Sequence, residues 1–244
     1  MITLISLLNI SDFSLAETLA VDLVNHVENM YRQTGSRSRI KMIVSNPRWE
    51  QPRKINIEAW SLGSEYTLIR IISPKKDKGI STLKRKKMMW NYFPRIRRTI
   101  RISAAMMMNS WMGSDFTNDD LVKQTQLTRD YDLQLKTYQT NYEITLTPKE
   151  HTATVWGKIL IVLTKKTRLP VEQKYFDESG QLKRTLLFSK PVDFSGITLP
   201  SVLKMRSVND PQKHTQINYE SIEWKQGLSE DFFSLQNLER SGHN

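Results

Sequence analysis

Apolar and polar residues alternate with a period of two along most of this chain, and that pattern constrains its fold more than any other feature. Ile40, Met42 and Val44 alternate, as do Ile55, Ile57 and Ala59. Such spacing puts successive side chains on opposite faces of a strand. Further segments rich in β-branched and aromatic residues cover 65–73, 87–93, 99–102, 131–138, 142–147, 155–163, 171–177, 181–189, 202–208 and 215–224. Asp177-Glu178-Ser179-Gly180 is a hairpin turn signal between two of them. Many short strands in succession imply an antiparallel sheet that curls or closes. No internal repeat, low-complexity linker or domain boundary interrupts the 244 residues.

Three segments depart from the alternation. Leu19, Leu23, Val27 and Met30/Tyr31 recur at helical spacing, with Thr18 or Ser14 as the cap and Gly35 beyond the end. Residues 104–123 hold Met106, Met107, Met108, Trp111 and Met112, in which Met108/Met112 and Met107/Trp111 are helical i, i+4 neighbours. Thr117 followed by Asp120 predicts a reciprocal cap that starts a second helix near Asn118. Phe232, Phe233, Leu235 and Leu238 predict a closing helix or turn packed on the sheet. The methionines have two readings, a lid over a flexible apolar chain or ordinary core packing. Asp115, Asp119 and Asp120 read as helix capping and dipole complementarity, not as a metal site.

Several function classes are excluded or lose support. The chain has no cysteine, hence no disulfide, thiolate site or cysteine nucleophile. Its glycines are too far apart for a phosphate-cradling loop or a nucleophile elbow, and its four histidines form no paired ligand motif. Nothing in the spacing suggests an enzyme, a metal or a cofactor. The longest apolar runs are five residues, well short of the roughly twenty that a membrane-spanning helix needs. At the N-terminus, apolar Met1–Leu8 precedes Ser14-Leu15-Ala16, a signal-peptide pattern with cleavage before Glu17. No basic residue precedes Arg32, so an apolar strand or helix start is the other reading.

Charge is concentrated. Of a net +11, residues 75–101 carry +10, with eleven basic residues against the single Asp77. Trp90, Tyr92 and Phe93 are interleaved. This belt reads as a solvated strand face, as an anionic-surface site, or as a nucleic-acid site with base-stacking aromatics. No recognised nucleic-acid module accompanies it.

Specific blocks then carry a family resemblance. They are Pro74-Lys75-Lys76-Asp77-Lys78-Gly79, Trp90-Asn91-Tyr92-Phe93-Pro94 with Arg97-Arg98, and Met112-Gly113-Ser114-Asp115-Phe116-Thr117 with Asp120-Leu121. Asp130-Tyr131, Tyr175-Phe176-Asp177 and Phe232-Phe233 with Leu238 continue the pattern over roughly residues 17–240. With these blocks the chain resembles the outer-membrane lipoprotein-sorting protein family of the LolA/LolB-like superfamily.

The resemblance implies a mainly β fold, an unclosed antiparallel β-barrel of about 11 strands with an N-terminal helix and a short helical lid or plug. It implies a signal-peptide remnant at 1–16 and a single lipid-binding domain at 17–244. The implied role is that of a soluble, monomeric periplasmic carrier in a Gram-negative envelope. It would hold acyl chains of lipoproteins or lipids and move them between membranes or to an inner-membrane transporter. It would have no enzyme activity and no nucleic-acid partner. The chain lacks the N-terminal cysteine of the membrane-anchored branch, and it matches no arginine latch. On alternation and the methionine cluster, the expected lipid-binding residues are Ile55, Ile57, Trp90, Tyr92, Met106, Met108, Trp111 and Met112. The expected docking belt for anionic surfaces is Lys84, Arg85, Lys86, Lys87, Arg95, Arg97 and Arg98. The alternative role is an interaction or scaffold protein of an envelope complex, and nucleic-acid binding through the belt comes third.

Overall fold

The computed structural model describes residues 8–123, 127–225 and 227–240. The apolar stretch at residues 1–7 therefore lies outside the described residues. Helix α1 spans Leu8–Asn29 and runs unbroken past the expected cleavage point before Glu17, so neither Ser14 nor Thr18 caps it. Ala20, Leu23 and Val24 are its fully buried stripe, as the helical spacing requires. Past the helix, Gly35 lies against the strand end at Lys225. A Cβ there would stand 2.4 Å from the Lys225 carbonyl oxygen, so only glycine fits.

Six strands follow: β1 (Ser36–Ser45), β2 (Arg53–Leu62), β3 (Tyr66–Ser73), β4 (Ser81–Arg85), β5 (Met88–Phe93) and β6 (Arg98–Arg101). After a crossing segment come β7 (Tyr131–Thr137), β8 (Asn141–Pro148), β9 (Lys158–Thr164), β10 (Pro170–Phe176), β11 (Leu182–Phe194), β12 (Ile197–Ser207) and β13 (His214–Trp224). All pair antiparallel in one 13-stranded sheet ordered β6-β5-β4-β3-β2-β1-β13-β12-β11-β10-β9-β8-β7. The edge strands β6 and β7 do not pair with each other, so the barrel stays open as expected. The Asp177–Gly180 turn joins β10 to β11, with Gly180 N–H donating to the Asp177 carbonyl at 3.0 Å.

Thirteen strands stand against the about 11 that the resemblance implies; twelve of them fall on the alternating segments, and β4 is the one that the pattern does not show. Its Ser-Thr-Leu-Lys-Arg sequence shows no apolar alternation, yet its first four residues are all buried. The reason lies at the C-terminus. A 3₁₀ turn at Glu230–Phe232 and helix α4 (Leu235–Glu239) cover the sheet face turned away from α1. Phe233 and Leu238 pack there at 0% exposure against Tyr66, Leu68, Leu83 and Tyr92. Ser234 caps α4 by accepting from the Asn237 N–H. Strands β3 to β5 are thus covered on both faces, and α1 occupies the concave side against β7, β8 and β9.

The crossing segment from β6 to β7 lies over the concave face between the two sheet halves. It is not the continuous methionine helix that the i, i+4 spacing predicts. It forms two 3₁₀ turns, Ala104–Met106 and Trp111–Gly113. Met112 and Gly113 both take left-handed conformations, φ 52° and 73°, which stop helix propagation. Helices α2 (Asn118–Lys123) and α3 (Leu127–Asp130) follow. The predicted cap forms: Thr117 N–H donates to Asp120 Oδ2 at 2.8 Å, and Asp120 N–H donates back to Thr117 Oγ1 at 3.2 Å.

Candidate functional site

Between α1, the concave sheet face and the crossing segment lies a cavity of about 170 Å³. Its walls are mostly apolar. Ile57 and Ile69 come from β2 and β3, Leu186 and Leu203 from β11 and β12, and Trp111 and Phe116 close it from the crossing segment. Trp111 is fixed there because its indole N–H donates to Thr82 Oγ1 at 3.1 Å, and Thr82 donates to Asn91 Oδ1 at 2.7 Å.

The cavity also holds charge. Glu28 near the end of α1 and Arg32 in the turn just past it line the cavity together with Lys84 of β4. Glu28 Oε1 accepts the Leu127 N–H at 2.6 Å, which ties α1 to the start of α3. Arg32 Nη1 donates to the main-chain carbonyl of Glu28 at 2.6 Å. Lys84 Nζ donates to the Ser64 carbonyl at 2.7 Å. Burial pushes the Glu28 carboxyl up to about 7. Burial, then the neighbouring Arg32 charge, brings the Lys84 ammonium down to about 7. Beside them Tyr31 and Tyr219 stack with ring centroids 4.3 Å apart, and burial pushes the Tyr219 phenol up to about 12.

This architecture recurs in solved structures. A DUF1329 family protein from Desulfovibrio piger superposes with a TM-score of 0.80 at 22% identity, covering 91% of this chain and 99% of that one. An outer-membrane lipoprotein-sorting protein domain from Vibrio parahaemolyticus gives 0.77 at 18% identity, covering 92% and 100%. A LolA superfamily protein from Nitrosomonas europaea gives 0.73 at 16% identity, covering 89% and 98%. At the sequence level, residues 63–240 match a family model described only as uncharacterized-protein-like. The chain belongs to that family. Its fold is the LolA-like open barrel that the sequence blocks implied. No protein of curated function matches its sequence.

Within this LolA-like barrel the expected lipid-binding residues separate into four groups. Ile57 and Trp111 line the cavity. Ile55 sits beside it in a packed cluster with Met42, Val44, Ile71 and Met89, covered by Met106 and Met112. Met108 is 41% exposed and points away. Trp90 and Tyr92 belong to the opposite face, packed with Phe232 and Phe233. In the β4–β5 register Trp90 pairs with Leu83 and Met89 pairs with Lys84. It is therefore Met89, not Trp90, that shares the concave face with Lys84 and Thr82. The expected strand parity was off by one residue, which turns every side chain over.

The basic belt also separates. Lys84 is 2% exposed and lines the cavity, because alternation turns Thr82 and Lys84 inward and α4 covers Leu83. Arg85 is half-buried, and Lys86 and Lys87 are exposed at the β4–β5 turn. Arg95, Arg97 and Arg98 are exposed at the other end of β5, six residues or roughly 20 Å away. The belt is thus two patches. The acidic group of the crossing segment is engaged by the protein itself: Asp115 accepts from Thr215 at 2.6 Å and meets Lys213 at 3.1 Å, while Asp120 pairs with Arg184.

Sequence reasoning missed Glu28, Arg32, Phe116, Leu186 and Leu203. Glu28 and Arg32 sit at and just past the end of a helix whose sequence pattern is dominated by its apolar stripe, and pairing of distant strands is not local information.

Proposed function

We propose that this protein is a periplasmic carrier that takes the acyl chain of a lipid or lipoprotein into the concave cavity and passes it between envelope membranes or to a transporter. The observation that carries this reading is an apolar cavity under a lid assembled from irregular backbone. At about 170 Å³ the closed cavity is of the order that holds one benzene-sized molecule. An acyl chain enters only if Trp111, Phe116 and Leu127 move aside. That displacement favours a carrier over a store. Burying about fifteen methylenes gives on the order of 12 kcal/mol before ordering costs. A lid that buries its own apolar side chains when empty offsets part of this, so hand-over becomes feasible.

The docking role falls to one end of the sheet. Strands β1, β3 and β5 all finish there, so loops 46–52, 74–80 and 94–97 lie side by side. Arg48, Lys75, Lys76, Lys78, Arg95 and Arg97 are exposed on them. Trp49 and Ile96 stand among them at 42% and 60% exposure. Cationic loops with amphipathic and apolar tips suit an anionic lipid surface.

The test is mass spectrometry of an organic extract of the purified protein, before and after incubation with phosphatidylglycerol-containing vesicles. A stoichiometric acyl species supports the carrier. A lipid-free protein after both treatments overturns it and leaves the scaffold role, in which the lid is permanent core.

A further inference from the structure

The concave face of β1 to β4 is graded in polarity, and the grading follows the strand register. Ser36 pairs with Ser61, Ser61 with Thr67, and Thr67 with Lys84, a row without an apolar side chain. Two residues along each strand, Ser38, Ala59, Ile69 and Thr82 form a mixed row. Two further, Ile40, Ile57 and Ile71 form a wholly apolar one. Alternation turns all three rows to the same face. The cavity therefore has an isoleucine end and a hydroxyl end.

Charge does not account for the hydroxyl end. Glu28 and Asp120 line the cavity as well as Arg32 and Lys84, and Glu65 also acts on Lys84. All four lining charges are engaged within the chain: Glu28 by the Leu127 N–H, Arg32 by the Glu28 carbonyl, Lys84 by the Ser64 carbonyl and Asp120 by Arg184. Some of the hydroxyls are engaged too. Ser36 donates to the Tyr31 carbonyl at 3.0 Å, and Thr82 links Asn91 to the Trp111 indole. Ser38, Ser61 and Thr67 differ. All three line the cavity, Ser38 and Ser61 at only 4% and 8% exposure. No hydrogen bond ties their hydroxyls to another of the described residues. A buried hydroxyl left so costs free energy, and a ligand that bonds to it recovers that cost.

We infer that the cavity selects a single-chain amphiphile with a small uncharged polyol head, a glycerol monoester, whose hydroxyls bond to Ser38, Ser61 and Thr67 while its chain lies along Ile57 and Ile69. This rests on the carrier reading and adds to it a headgroup class and the residues that impose it. A side-chain hydroxyl both donates and accepts, and so does each hydroxyl of a polyol. Ser61 and Thr67 stand directly opposite on β2 and β3, about 5 Å apart between Cβ atoms. Ser38 is the diagonal neighbour of Ser61. The three thus flank a space that the adjacent hydroxyls of one glycerol span. A carboxylate or phosphate head would meet Glu28 and Asp120 as well as the two cations, and gains no net attraction. The head's contacts belong to strands, so they stay in place while Trp111 and Phe116 of the lid give way to the chain.

The experiment uses the delipidated full chain and three probes below their aggregation limits: monodecanoylglycerol, methyl decanoate and decanoate. The first two share the chain and the ester and differ in the glycerol hydroxyls. Affinity is read by calorimetry or by intrinsic tryptophan fluorescence. Expected is a preference of about tenfold or more for monodecanoylglycerol over methyl decanoate, the size of about two net hydrogen bonds between neutral groups. Ser61→Ala/Thr67→Val should collapse that preference to about twofold or less and leave methyl decanoate affinity within about twofold. Its melting temperature should not fall below the wild-type value, since no internal hydrogen bond is broken. Equal binding of the two esters by the wild-type protein overturns the headgroup inference and leaves the carrier standing. So does decanoate as the tightest of the three, which would mean an anionic head, or a preference that survives Ser61→Ala/Thr67→Val. Binding of none of the three overturns both readings. The wild-type comparison decides the matter even if the variant fails to fold.

Discussion

Arg184 on β11 holds Asp120 on α2 with both terminal guanidinium nitrogens, across 64 positions of sequence. Nη1 donates to Oδ2 at 2.8 Å, and Nη2 donates to Oδ1. The guanidinium lies 4.2 Å from the Tyr175 ring centroid and 4.4 Å from that of Trp156. The side chains of Arg184 and Asp120 are only 8% and 5% exposed. Because Asp120 also caps its own helix through Thr117, one carboxylate both starts α2 and fastens it to the sheet.

Removing one partner strands the other in a dry site. Arg184→Met should therefore cost about 3–5 kcal/mol. Combining it with Asp120→Asn, which keeps an oxygen for the Thr117 cap, should recover a substantial part. Urea denaturation of the two single variants and the double variant measures this coupling. Additive losses would mean that the ion pair does not hold the lid.

The Glu28–Lys84 pair predicts an unusual pH profile. Glu28 titrates at about 7 in the folded chain against 4.5 ordinarily. The folded state thus binds more protons than the unfolded one between those values. Its contribution is present below about 4.5 and is lost as pH rises through about 7. Lys84 is lowered from 10.5 to about 7, so the cost of its burial is present below about 7 and is relieved as pH climbs toward 10.5. The charged groups acting on the pair are Arg32, Glu65 and Asp130. Together they predict a stability minimum near neutrality. Glu28→Gln keeps an acceptor for Leu127 N–H and should flatten the acid limb, its melting temperature gaining on the wild type from pH 5 to pH 8. A constant gap across that range would sink the assignment.

The split of the basic belt predicts that its two halves differ in function. Lys75/Lys76/Lys78→Glu should abolish low-salt association with anionic vesicles, while Lys86/Lys87→Glu should leave most of it. Co-sedimentation at two salt concentrations checks both, since a Debye length of about 10 Å at 0.1 M confines the effect to the nearest patch. Equal losses from both ends would mean that net charge, not a surface, drives the association.

Alternation made the antiparallel sheet legible, and the capping pattern at Thr117 and Asp120 located α2. Alternation failed wherever the sheet is covered twice. On β5, Met89 is fully buried on one face and Tyr92 is 9% exposed on the other, so apolarity alone cannot say which face is concave. On β4 the same double cover buries Lys84, and a lysine in a basic run reads as solvated. The methionine segment misled for a backbone reason. Its i, i+4 pairs are real in sequence, but the left-handed pair Met112 and Gly113 breaks the helix that would align them. Closure of the cavity depends on pairing β1 with β13, residues more than 165 positions apart such as Ile43 and Gln216, and no local pattern records that.

The two faces of β2 to β5 give the last prediction, because substitutions on each should have opposite effects. Phe233 is fully buried against Tyr66, its ring centroid 5.7 Å away, on the face covered by α4. Phe233→Ala should cost about 3–5 kcal/mol by leaving a cavity, with acyl uptake per folded molecule unchanged. Ala59 on β2 lines the concave cavity. Ala59→Phe places a ring in space that is already empty, so overpacking strain is avoided and stability should change by about 1 kcal/mol or less. The same ring takes the volume an acyl chain would fill, so uptake should be lost. Thermal denaturation and extraction mass spectrometry on the two variants read both effects. Undiminished uptake by a folded Ala59→Phe protein would move the acyl chain out of this cavity altogether.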